Sequence, residues 1–79
     1  MKTYAELFER CKKKDANAQR MLYDLSKARL MGIARRYNKD REEAQDILQE
    51  AFIKIFKNIH QVESAVKLEA WMTSIVVRT

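Results

Sequence analysis

Ala44, Ile47, Leu48, Ala51, Ile55 and Ile59 recur at the spacing of one helix face. At roughly 100° per residue they form a single stripe, which Phe52 and Phe56 widen on one side. Asp40 stands where an N-cap belongs, and Glu43 follows three residues later, approximating a capping box. Glu42 and Glu43 suit the positive end of the helix dipole, and Lys54 and Lys57 suit the other end. The pattern predicts a helix from the Asp40 cap to about Asn58.

The same periodicity predicts three more helices. The first runs from about Tyr4 to Lys13, with Tyr4, Leu7, Phe8 and Cys11 on one face, and Lys12-Lys13-Lys14 ends it. Asp15 caps the second, which continues to about Tyr37 with Ala18, Met21, Leu22, Leu25, Ile33 and Tyr37 as apolar positions. Gly32 weakens that helix by roughly 1 kcal/mol relative to Ala. Asn38-Lys39 reads as a short turn, with Asn38 able to take the left-handed conformation. Residues His60 to Lys67 show no clean period and read as a loop. The fourth helix starts near Leu68 and contains Trp71, Met72, Ile75 and Val76. It has no Gly, Asn or Pro to stop it, so the chain is expected to be a piece of a longer protein, cut in or after this helix.

Composition agrees with an all-α fold, a compact bundle of about four helices. The chain of 79 residues has no Pro and one Gly, too few turn residues for a hairpin-rich fold. That length makes one small domain. A single Cys excludes an internal disulfide and fits a reducing compartment. There is no apolar run of membrane-spanning length and no signal-like N-terminus.

Charge sharpens the picture further. Residues 1–41 carry 12 Lys/Arg and 5 Asp/Glu, giving +7, whereas residues 42–79 carry 4 and 6, giving −2. A basic half points to a polyanion such as nucleic acid, or simply to a soluble basic surface.

Ile53 breaks the order of the third helix. It lies roughly 160° from Ile55 around the axis. Gln49 and Glu50 stand one turn before it, with Asp46 a turn further back. Two readings stay open on pattern alone: a solvated face with one stray apolar residue, or a docking face with a small apolar centre.

Catalytic chemistry is not legible. One His and one Cys lie far apart, and no zinc-ligand motif or Gly-rich phosphate loop occurs. Asp46 and Glu50 at i, i+4 read as a solvated acidic patch rather than a metal site, since no His accompanies them. No nucleophile with a base and an orienting group can be assembled, so the residues point away from an enzyme.

The order of these fragments resembles a known family. A-R-R-Y at Ala34–Tyr37 precedes D-R-E-E-A-Q-D-I-L-Q-E-A-F-I-K-I-F at Asp40–Phe56, and L-E-A-W-M-T-S-I follows at Leu68–Ile75. Upstream lies K-K-D-A-N-A-Q-R-M-L-Y at Lys13–Tyr23. Together they resemble region 2 of an extracytoplasmic-function (ECF) type sigma factor of the sigma-70 family of bacterial RNA polymerase. The spacings match from about Asp15 to Ile75.

The resemblance implies a cytoplasmic bacterial transcription initiation factor domain over residues 1–79, with no catalytic activity, no cofactor and no metal, and with region 4 absent. It implies that Asp46, Gln49, Glu50 and Ile53 dock on the clamp helices of the β′ subunit. It also implies contact with the non-template strand of the −10 promoter element from the Trp71 helix. Lys67, Thr73, Ser74 and Arg78 are the polar and basic candidates there. Trp71 itself suits a core role better than base contact, by its spacing with Leu68, Met72 and Ile75. Arg35, Arg36, Lys39 and Arg41 can hold phosphates. An anti-sigma factor is a further implied partner. The chain departs from the family pattern at Ser74, where a basic residue is frequent, and at Arg78, where Asn is usual; base readout by the fragment is expected to be poor. Two other functions fit the residues: a helical protein-interaction module and a sequence-nonspecific nucleic-acid-binding domain.

Overall fold

The computed structural model describes residues 4–79, Tyr4 through its backbone alone. The expected place of the Tyr4 side chain on the first helix face therefore lies outside the described residues. Four helices follow in order: α1 (Tyr4–Lys12), α2 (Ala16–Tyr37), α3 (Arg41–Asn58) and α4 (Leu68–Arg78). Among the described residues there is no strand, and the fold is all-α as the pattern predicts.

Asp15 makes the α1–α2 corner. Its Oδ1 accepts from the backbone N–H of Asn17 at 3.0 Å and of Ala18 at 3.3 Å, capping α2. Its Oδ2 accepts from Arg10 Nε at 2.9 Å. The Arg10 hydrogen bond, then that from Ala18, holds the Asp15 carboxyl below its ordinary range. A depressed folded-state pKa stabilises the fold above the unfolded value and is lost as pH falls through the folded one. We expect the melting temperature to drop as pH is lowered below about 4. Asp15→Asn keeps a capping oxygen but not the titration, so its own drop over this range should be smaller, as thermal melts at both pH values would record.

Just before Asp15, Lys14 takes φ 63°, the left-handed value that usually goes to Gly. Its N–H donates to Cys11 O at 3.0 Å, and that of Asp15 donates to Arg10 O at 3.1 Å. Asn38, expected to be left-handed, is instead extended, with φ −147° and ψ 114°. Its Oδ1 accepts from the N–H of Asp40 at 3.3 Å, so the side chain closes the turn and the backbone need not.

The core is built around α2, which touches each of the other three helices. Its buried row is Ala18, Leu22, Ser26, Leu30 and Ala34. Each step of four residues advances roughly 40° around the axis, so the row winds through about 160° and serves successive neighbours. Small residues at the first, middle and last positions leave room for close helix approach. Met21, Leu25 and Tyr37, expected among the apolar packing positions, are 39%, 58% and 71% exposed. Ile33 is half-buried.

From α3, Ala44, Leu48, Ala51, Phe52 and Ile55 enter the core, with Ile47 half-buried at its margin. Phe52 meets Tyr23 edge-on at 4.7 Å and stacks on Phe56 at 5.8 Å. Leu68, Met72 and Val76 bury the inner face of α4. The stretch expected to be a loop contains two single 3₁₀ turns, Ile59–Gln61 and Ala65–Lys67, with Ile59 and Val62 buried. Turns of three residues are too short to show a helical period.

Cys11 is fully buried, and burial, with the Asp15 charge second, pushes its thiol up to about 11. It is protonated at neutral pH and acts as a small apolar core residue.

Candidate docking and nucleic-acid surfaces

The outer face of α3 is set by its cap. Asp40 Oδ1 accepts from the Glu42 N–H at 2.9 Å, fixing where the helix begins and hence which way each residue points. No reciprocal bond from Glu43 completes the capping box; the Asp40 N–H goes to Asn38. With the apolar stripe buried, Asp46, Gln49, Glu50 and Ile53 all face outward. Their i, i+3, i+4, i+7 spacing aligns them in one row. Ile53 is 68% exposed at the end of that row. No cation lies within ion-pairing distance of Asp46 or Glu50 among the described residues. Both carboxylates are free to meet a partner's donors.

The basic cluster surrounds the α2–α3 turn. Arg35 and Arg36 occupy the last turn of α2, where the helix dipole favours them. Lys39 lies in the turn and Arg41 opens α3. All four are exposed, and none has a carboxylate partner among the described residues. Uncompensated cations at one turn suit a phosphate backbone.

On α4 the candidates separate. Trp71, Ser74 and Arg78 lie on one side, spaced by three and four. Trp71 is half-buried and packs against the core. Ser74 Oγ donates to Trp71 O at 2.7 Å. Arg78 is exposed. Lys67, at the end of the second 3₁₀ turn, pairs with Glu63 at 3.3 Å. That exposed pair is worth little and gives way readily to a phosphate.

Thr73 lies about a third of a turn from this row. Its Oγ1 donates to Glu69 O at 2.9 Å and accepts from Arg29 at 2.8 Å. Arg29 also reaches Glu69 O at 3.4 Å, tying α2 to α4. Sequence reasoning missed Arg29, because its partner stands 44 positions away and no local pattern marks it.

Among the described residues no three His, Cys, Asp or Glu side chains come together as a metal site. No helix there is long and apolar enough to cross a membrane. An outward helix face with unpaired carboxylates, a basic turn and a half-buried tryptophan are thus the surface features of this helical domain.

Residues 22–79 match the sigma-70 region 2 family, and the chain belongs to that family. The family consists of transcription factor domains, not enzymes, and places the chain in transcription initiation with RNA polymerase core and promoter DNA. No curated protein and no solved structure gives a significant match to the chain.

Proposed function

We propose that residues 1–79 form the region 2 domain of an ECF-type sigma factor, one part of a longer cytoplasmic bacterial protein. It docks on the β′ clamp helices through Asp46, Gln49, Glu50 and Ile53, and it helps to recognise and open the −10 element. The observation that carries this reading is the α3 row itself: two unpaired carboxylates and an amide leading to an apolar residue that is 68% exposed. Carboxylates paired with Arg on a partner helix give oriented, charge-assisted bonds, and Gln49 both donates and accepts.

DNA enters through the cations. Arg35, Arg36, Lys39 and Arg41 hold phosphates without reading sequence. Lys67 and Arg78 add phosphate contacts near the displaced strand. Ser74 has donated its hydroxyl proton to a backbone carbonyl and so offers a base an acceptor oxygen, whereas the Thr73 oxygen, which also accepts from Arg29, reaches DNA only where that bond opens. Trp71 offers a base only the part of its ring that the core leaves uncovered. An anti-sigma factor that covered the α3 row would compete with the polymerase.

Titration of a β′ clamp-helix fragment tests the docking. Gln49→Ala is expected to weaken binding about tenfold and Glu50→Lys about 30-fold, with helicity by circular dichroism unchanged. Unchanged affinity in both variants would sink the role given to this face.

A further inference from the structure

Tyr37 is the last residue of α2, and it is 71% exposed. The buried row of that helix ends three residues earlier, at Ala34, and the chain then leaves through extended Asn38, so the ring stands beyond the core. Exposure alone carries little weight, since single exposed apolar residues are ordinary. The surroundings of this ring carry more. The Lys12 and Lys27 ammoniums lie over Phe8 and Tyr23, Phe52 meets both Tyr23 and Phe56, and Trp71 packs against the core. Among the described residues no ring or cation covers Tyr37. Arg35 and Arg36 precede it, Lys39 and Arg41 follow it, and none of the four has a carboxylate partner there. Asp40, the acid within the turn, is held by the Glu42 N–H as the cap of α3.

We propose that, given the DNA contact proposed above for these four cations, Tyr37 is the platform on which one unpaired base of the opened strand stacks. A flat ring beside uncompensated cations has both parts of a single-strand site: a face for a base, and charges for the phosphates on either side. A duplex keeps its bases stacked on one another and offers this ring none, so the turn favours a strand already opened. Stacking accepts any base, so Tyr37 anchors the strand without reading its sequence. Asn38 Oδ1 accepts from the Asp40 N–H at 3.3 Å, closing the turn that carries ring and cations together. An acidic protein segment fits less well. It would meet the guanidiniums, but carboxylates gain nothing from the negative face of an aromatic ring.

The test is a set of fluorescence anisotropy titrations of the whole chain at low salt. Four labelled probes are used: a short oligothymidylate, an abasic strand of equal length, a duplex of equal length, and a Glu-rich peptide with the charge of the single strand. The oligothymidylate should bind about tenfold more tightly than the abasic strand or the peptide. Tyr37→Ala should lower affinity for the oligothymidylate about tenfold, leave the abasic strand and the duplex within about twofold, and keep the melting temperature. Tyr37→Phe should bind all four probes as the parent chain does. The Tyr37 ring protons should move upfield in NMR spectra with the oligothymidylate and not with the abasic strand. Equal losses on the base-bearing and abasic strands would reduce Tyr37 to a charge or folding effect and overturn the proposal. A preference for bases that survives Tyr37→Ala would place stacking elsewhere, on Trp71 for example, and overturn it too, as would tighter binding of the peptide. No binding of any strand would overturn both the platform and the phosphate contacts of the cations. Tyr37 lies outside the α3 row, so Tyr37→Ala should bind the β′ clamp-helix fragment unchanged, and failure of polymerase docking is read separately.

Discussion

Ile53→Lys is expected to reduce affinity for the β′ clamp-helix fragment by about 100-fold or more while leaving the domain as stable as before. Two effects act in the same direction. Burying an Ile side chain at an interface centre contributes about 1.5–3 kcal/mol, and the substitution removes that contribution. A lysine head brought against the arginines that would meet Asp46 and Glu50 adds repulsion without a compensating bond. The free domain should not suffer. Ile53 faces solvent, Lys is a strong helix former, and Glu50 one turn earlier pairs favourably with a cation. Calorimetric titration beside a thermal melt separates the outcomes. Affinity within twofold of the parent chain would return α3 to a solvated face with one stray apolar residue.

Leu22→Ala should leave the domain largely unfolded at 37 °C. Leu22 is wholly buried, the second residue of the α2 row, and belongs to the core shared by all four helices. Such a truncation typically costs about 3–5 kcal/mol in lost transfer energy and residual cavity. A chain of 79 residues has about 4–12 kcal/mol in total to lose. Leu25→Ala, three residues on at a position 58% exposed, should change stability by only about 0.5 kcal/mol. Urea unfolding of the two variants gives the contrast directly. A Leu22→Ala midpoint close to that of Leu25→Ala would mean that the α2 row does not organise the core.

That contrast also marks how far the sequence could be read. Apolar period located all four helices, and Asp15 and Asp40 fixed the starts of α2 and α3. The α3 stripe was legible since one side of that helix meets the core. The α2 row was not. Ala18, Ser26 and Ala34 give little hydrophobic signal, and a helix enclosed by three neighbours buries residues on a winding track. Leu25 and Met21, more apolar than Ser26, therefore sit outside while Ser26 is fully buried.

The site divides in the same way. The α3 row follows from helix geometry alone, so Asp46, Gln49, Glu50 and Ile53 could be aligned before any packing was known. Contacts between helices could not. The engagement of Thr73 by Arg29 and the packing of Tyr23 against Phe52 exist only once α2 has neighbours.

The Arg29 bridge also gives the outer edge of α4 a rhythm. A solvent-exposed hydrogen bond contributing about 1 kcal/mol is open roughly one time in six at room temperature. The edge of α4 that carries Thr73 is thus latched most of the time yet released often. Replacing Arg29 would leave that edge released at all times without disturbing Leu68, Met72 and Val76 on the buried face of α4.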